Sequence, residues 1–111
     1  AHFLQGNYTA GIEALKKAID QAQKQIHYIN LGLLYRREGQ FDKAFNANMR
    51  AIELGTNEAA AYNNIGLIHE QQKEVQKALD AYRKAIELDS NFTPAFENFI
   101  HLIKKQSHTL P

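Results

Sequence analysis

The chain has 111 residues, with 13 lysines and arginines against 12 aspartates and glutamates, and no cysteine. A net charge of +1 gives no support for a surface that neutralises nucleic-acid phosphates, and the lack of cysteine excludes disulfides and thiolate metal sites. No apolar run reaches the roughly 18 to 20 residues of a membrane span, and no basic region precedes an apolar stretch in Ala1-His2-Phe3-Leu4-Gln5-Gly6, so no signal peptide is expected.

Proline occurs twice and glycine six times. The abundance of Ala, Leu, Ile, Lys, Glu and Gln favours helix, and no segment alternates with period two for long enough to read as a strand. An all-α chain is expected.

In chain order, residues 1–5 read as the end of a first helix and residues 7–22 as its partner. Residues 25–38 carry the stripe Tyr28, Leu31, Gly32 and Tyr35, at the three-and-four spacing of an amphipathic helix. Gly39 is placed to end that helix in a left-handed conformation. Residues 41–54 form the next helix, with Phe41, Ala44, Phe45, Ala51 and Ile52 inward, and Gly55 is expected to end it in the same left-handed way. Residues 59–72 and 75–88 repeat the pair. Thr93 before Pro94 reads as an N-cap followed by proline at the first helical position. It opens a last helix over 93–106, followed by a frayed tail ending in Leu110 and Pro111.

The chain laid over itself at a spacing of 34 shows why these elements come in pairs. Tyr28-Ile29-Asn30-Leu31-Gly32-Leu33-Leu34-Tyr35 falls on Tyr62-Asn63-Asn64-Ile65-Gly66-Leu67-Ile68-His69. Ala44 falls on Ala78, and Ala51-Ile52-Glu53-Leu54 on Ala85-Ile86-Glu87-Leu88. Phe96 to Ile103 begins another copy. At a spacing of 33, Gly6-Asn7-Tyr8 matches Gly39-Gln40-Phe41, and Ala18-Ile19 matches Ala51-Ile52. Self-similarity at this period marks a repeat architecture whose units make a core by stacking. Gly32 and Gly66, facing Ala44 and Ala78, are expected to let paired helices approach closely.

Tyr28, Leu31, Gly32, Tyr35, Ala44 and Ala51, and again Tyr62, Ile65, Gly66, His69, Ala78, Tyr82 and Ala85, resemble the tetratricopeptide-repeat signature. The resemblance implies a right-handed α-solenoid of antiparallel helix pairs, with a partial unit at 1–22, units at 25–56 and 59–90, a terminal helix at 93–106 and a tail at 107–111. Asn48 and His69 stand where the family prefers aromatics, and Lys73 replaces the glycine between helices. Thr56 and Ser90 stand where a closing proline is frequent. Ile100 takes the place of Gly32 and Gly66. Because the chain opens in mid-unit, it reads as a piece of a longer solenoid.

The resemblance further implies a concave groove lined by the first helix of each unit. Opposite the core stripe lie Ile26, Ile29, Asn30, Leu33, Arg36 and Arg37. The next unit offers Asn63, Asn64, Leu67, Glu70 and Gln71, and the last Glu97, Asn98, His101, Lys104 and Lys105. Asn30, Asn64 and Asn98 form one column. An asparagine amide offers two donors and an acceptor, so this column could clamp the peptide bonds of an extended guest. It resembles the asparagine ladder of a glycosyltransferase's repeat superhelix. Bonding between neighbouring repeats is the other reading, and both stay open. A dicarboxylate clamp for an acidic tail would need lysines four residues earlier, where Ile26, Ala60 and Pro94 stand.

No two of the histidines at 2, 27, 69, 101 and 108 have the i, i+4 spacing of a helical metal site. Ser90 and Ser107 belong to no visible catalytic set. The expectation is a non-catalytic module without a cofactor. It would bind a protein or peptide, not nucleic acid, through Asn30, Asn64, Asn98, Leu33, Arg37, Asn63, Leu67 and His101. Two alternatives are a homo-oligomeric scaffold joined through its solenoid ends, and the substrate-recognition part of a larger enzyme such as a glycosyltransferase.

Overall fold

Among the described residues, helix propensity and repeat register together produce five helices: α1 (His2–Arg37), α2 (Phe41–Leu54), α3 (Glu58–Gln71), α4 (Val75–Leu88) and α5 (Thr93–Thr109). The computed structural model describes residues 2–55 and 58–109, with side chains over 10–55 and 58–107, and no strand occurs among them. Thr56, Leu110 and Pro111 lie outside the described residues. The bounds of α2 and α4 coincide with the sequence expectation, α3 differs by one residue at each end, and α5 runs three residues further.

The large difference is α1. Separate helices were expected over 7–22 and 25–38, but one continuous helix of 36 residues spans both. The sequence of the junction supplies the reason. Between α2 and α3 the chain carries Gly55, and between α4 and α5 it carries Asp89-Ser90-Asn91. The matching segment is Gln21-Ala22-Gln23-Lys24-Gln25, all good helix formers without a residue that competes for the backbone. Asp20 and Lys24 add an i, i+4 ion pair across it at 3.3 Å. The partial unit at 1–22 therefore does not fold back here, and residues 10–24 are all exposed. The extents of the molecule, 75 × 28 × 15 Å, follow from this helix, which is about 54 Å long at 1.5 Å per residue.

From Gln25 onward the pairs pack as the repeat requires. α1 lies on α2 and α3 on α4, with α2 against α3 and α4 against α5. A β-carbon on Gly66 would stand 2.6 Å from Tyr82 Cδ1, and one on Gly32 would stand 3.0 Å from Asn48 Cγ. The expected close approach is thus real, and Ala44 and Ala78 are fully buried beside it. Two clusters join the last three helices. Ala59, Ala85 and Ala95 pack with Tyr62, Ile86 and Phe92, and Ala78, Tyr82 and Leu102 pack with Leu67, Leu79 and Phe99.

Both within-unit turns use a left-handed residue. Gly39 has φ 79° and Lys73 has φ 65°, and matching backbone bonds close them, Gln40 N to Tyr35 O and Glu74 N to His69 O, each 2.9 Å. Gly55 departs from expectation, because its backbone is extended, at φ −107° and ψ 166°. It is needed for space. A β-carbon there would meet the Gln25 side chain and lie 2.9 Å from Ala51 O. Thr93 is also not the expected N-cap. Its hydroxyl donates back to Asn91 O at 3.4 Å, inside the turn rather than on the helix.

Candidate functional site

The first helices of successive units, α1 beyond Gln25, α3 and α5, lie side by side. The candidate binding residues sit along them, but the structure separates these residues into two groups.

The asparagine column is not uniform. Asn64 is buried and donates from Nδ2 to Asn48 Oδ1 at 3.2 Å. Asn48 in turn donates to Ala44 O at 2.9 Å. Its amide thus both donates and accepts within the core, so asparagine at this aromatic position ties α2 to α3 instead of loosening them. Asn98 is half-buried and donates to Asn63 Oδ1 at 3.0 Å, linking α5 to α3. Asn30 alone of the column is exposed. Bonding between repeats therefore engages Asn64 and Asn98, while Asn30 is exposed.

Of the remaining candidates, Leu33 is half-buried, Arg37 and His101 are exposed, and Asn63 is buried. Leu67 is half-buried and packs against the cluster around Leu102 and Tyr82. His101 lies in a shallow hollow of about 270 Å³ with Phe96, Glu97, Ile100 and Lys104.

Three features carry little sequence signal. Arg36 Nη1 donates to Gln71 Oε1 at 2.6 Å, bridging α1 and α3. The Tyr82 hydroxyl donates to Glu70 Oε1 at 2.8 Å, and burial, with that bond second, pushes its phenol well above the ordinary tyrosine range. Gln25 is buried at the α1–α2 junction and donates to Ala51 O at 3.3 Å. Each joins residues of types common on helix surfaces, so only the packing reveals them. Among the described residues no cluster of three or more histidines and carboxylates gathers to hold a metal, and no helix is long and apolar enough to cross a membrane.

Stacked helix pairs in 34-residue register define an all-α helical-repeat solenoid. Within that class, a tetratricopeptide-repeat family model matches residues 1–59 and a second one residues 59–92. The chain belongs to the tetratricopeptide-repeat family, a family of protein–protein interaction modules. A solved structure similar to it is the first tetratricopeptide domain of Spaghetti (RPAP3) bound to the HSP90 peptide SRMEEVD. The TM-score is 0.64 at 22% identity, over 95% of this chain and 84% of that one. No curated protein matches the chain.

Proposed function

We propose that the chain holds an extended peptide segment of a protein partner on the face made by α1 beyond Gln25, α3 and α5, without catalysing a reaction. The observation that carries this reading is the Asn98–Asn63 bond of 3.0 Å. It holds the half-buried Asn98 amide in place against the buried Asn63, and the Asn98 amide retains hydrogen-bonding capacity for a guest's backbone. Exposed Asn30 adds a further amide on α1, with Leu33 beside it for apolar contact. The similar structure of the Spaghetti domain holds a peptide, which supports the same use of the fold here.

The guest differs in chemistry from an acidic C-terminal tail. Ile26, Ala60 and Pro94 stand where ammonium groups would grip terminal carboxylates, and without them the charge-assisted bonds are lost.

A peptide-display selection on the 111-residue chain, followed by fluorescence anisotropy on the selected peptides, tests the proposal. Asn30→Ala is expected to weaken binding by roughly two- to tenfold, as for one hydrogen bond of about 0.5–1.5 kcal/mol. Lys84→Ala, at an exposed position on α4, should leave it unchanged. Selected peptides indifferent to Asn30 and displaced by Lys84→Ala would overturn it.

A further inference from the structure

Leu34, Ile68 and Leu102 occupy one repeat position, spaced by 34 residues. Ile68 and Leu102 are each 1% exposed, because α2 covers the first and α4 the second, whereas Leu34 is 53% exposed. An open hollow of about 370 Å³ runs between α1 and α2, lined by Tyr28, Leu31, Tyr35 and Ala47 among others. Nothing covers this face of the first complete unit among the described residues.

The matching cover lies on the same helix. Ile12, Leu15 and Ile19 are 40%, 62% and 50% exposed. At a spacing of 33 they stand where α2 has Phe45, Asn48 and Ile52, and 34 residues further where α4 has Leu79, Tyr82 and Ile86. These are the side chains with which a second helix covers the following unit. Phe45 meets His69 with ring centroids 6.2 Å apart, Asn48 bonds Asn64, and Leu79 and Tyr82 surround Leu102.

The two faces cannot meet within one chain while α1 is continuous. Leu15 and Leu34 are nineteen residues apart, roughly 28 Å along a helix axis. Folding back would require breaking the helix within Gln21–Gln25, where no glycine, proline, asparagine or aspartate offers a turn.

We propose that the occupant is a second copy of this chain, bound by reciprocal exchange. Two α1 helices run antiparallel about a twofold axis near Lys24 and Gln25. Each Ile12–Leu15–Ile19 stripe then falls on the other copy's Leu31, Leu34 and Tyr35. The contact is isologous, because stripe and berth sit at equal distances on either side of the axis. It repeats an interface the molecule already builds twice, α2 on α3 and α4 on α5, so each dimer completes two units in trans. By the α2-on-α3 register the other copy's Leu15, at the place of Asn48, comes to lie against Asn30, so the dimer closes the open face of the first complete unit and covers that amide.

The chain contains no cysteine, so a cysteine pair reports the geometry directly. In a Leu15→Cys, Leu34→Cys double variant, mild oxidation is expected to give a disulfide-linked species of twice the 12.6 kDa chain mass on a denaturing gel. Light scattering on the unmodified chain should show a dimer at micromolar concentration. Gln23→Pro, which supplies the missing helix break, should convert it to a monomer with α2 to α5 intact by circular dichroism. A monomer at every concentration, an oxidised product of single-chain mass, a dimer that does not cross-link at this pair, or a Gln23→Pro dimer would each overturn the exchange.

Discussion

Asn64 on α3 donates to Asn48 on α2 across 3.2 Å, and both side chains are buried. This bond joins two units through polar atoms alone, so each partner depends on the other. Asn64→Ala leaves Asn48 Oδ1 without its donor in a site closed to water. The expected cost is about 1–3 kcal/mol, seen as a lower urea midpoint with an unchanged slope. A double variant, Asn48→Leu with Asn64→Ala, should recover part of the loss because no orphaned acceptor remains. Strict additivity of the two single losses would show that the bond contributes nothing.

Gly66 faces the Tyr82 ring so closely that a β-carbon would lie 2.6 Å from Cδ1. Tyr82 is fully buried, so the ring cannot move without disturbing Leu102 and Phe99. Gly66→Ala gains about 1 kcal/mol in helix propensity, yet overpacking costs typically 1–3 kcal/mol. A net loss of stability is expected in thermal or urea unfolding. Gly11 is the control. It lies in α1 with nothing within 4 Å of its β-carbon position, so Gly11→Ala should be neutral or stabilising.

The repeat made most of the fold legible. Gly32, Gly66, Ala44 and Ala78 recur at 34 residues because close helix packing demands small side chains there, and a demand met twice leaves a visible period. The same logic misled at the first junction. Ala18-Ile19 matches Ala51-Ile52, so a turn was expected after residue 22, but register says which residues could pack and not whether the linker breaks the helix. That decision lay in Gln21-Ala22-Gln23-Lys24-Gln25. Gly55 misled in another way, since a glycine required by a neighbour's bulk looks in sequence like one required by a positive φ. On the candidate face, the column of asparagines was visible, but its division was not. Asn64 and Asn30 differ only in whether a partner such as Asn48 stands opposite, and Leu15 is the residue at that place in the first copy.

Lys73 takes the left-handed conformation, φ 65°, that Gly39 takes at φ 79° in the preceding unit. An L-residue with a β-carbon pays roughly 1–2 kcal/mol for that conformation, and Lys73 is exposed with no packing to offset it. Lys73→Gly is expected to stabilise the chain by about 0.5–1 kcal/mol, the greater freedom of glycine in the unfolded chain taking back part of the gain. The reverse change, Gly39→Lys, should destabilise it by a similar amount. If both variants unfold at the parent midpoint, neither turn is under conformational selection.

The Tyr82 phenol, raised by burial and by its 2.8 Å bond to Glu70, gives the fold a dependence on alkaline pH. The unfolded chain releases this proton near pH 10, while the folded chain keeps it. Below pH 10 both states hold the proton and the stabilising effect is complete. Above pH 10 unfolding releases a proton, so stability falls as pH rises, by up to about 1.4 kcal/mol per pH unit. Tyr82→Phe removes both the proton and its bond to Glu70. That variant should be less stable than the parent at pH 8 by about 0.5–1.5 kcal/mol, and the gap should narrow and then reverse as the pH climbs past 10. Urea unfolding of both chains between pH 8 and 11.5 checks this. Parallel pH profiles for the two would mean that Tyr82 releases its proton as readily in the folded chain as in the unfolded one.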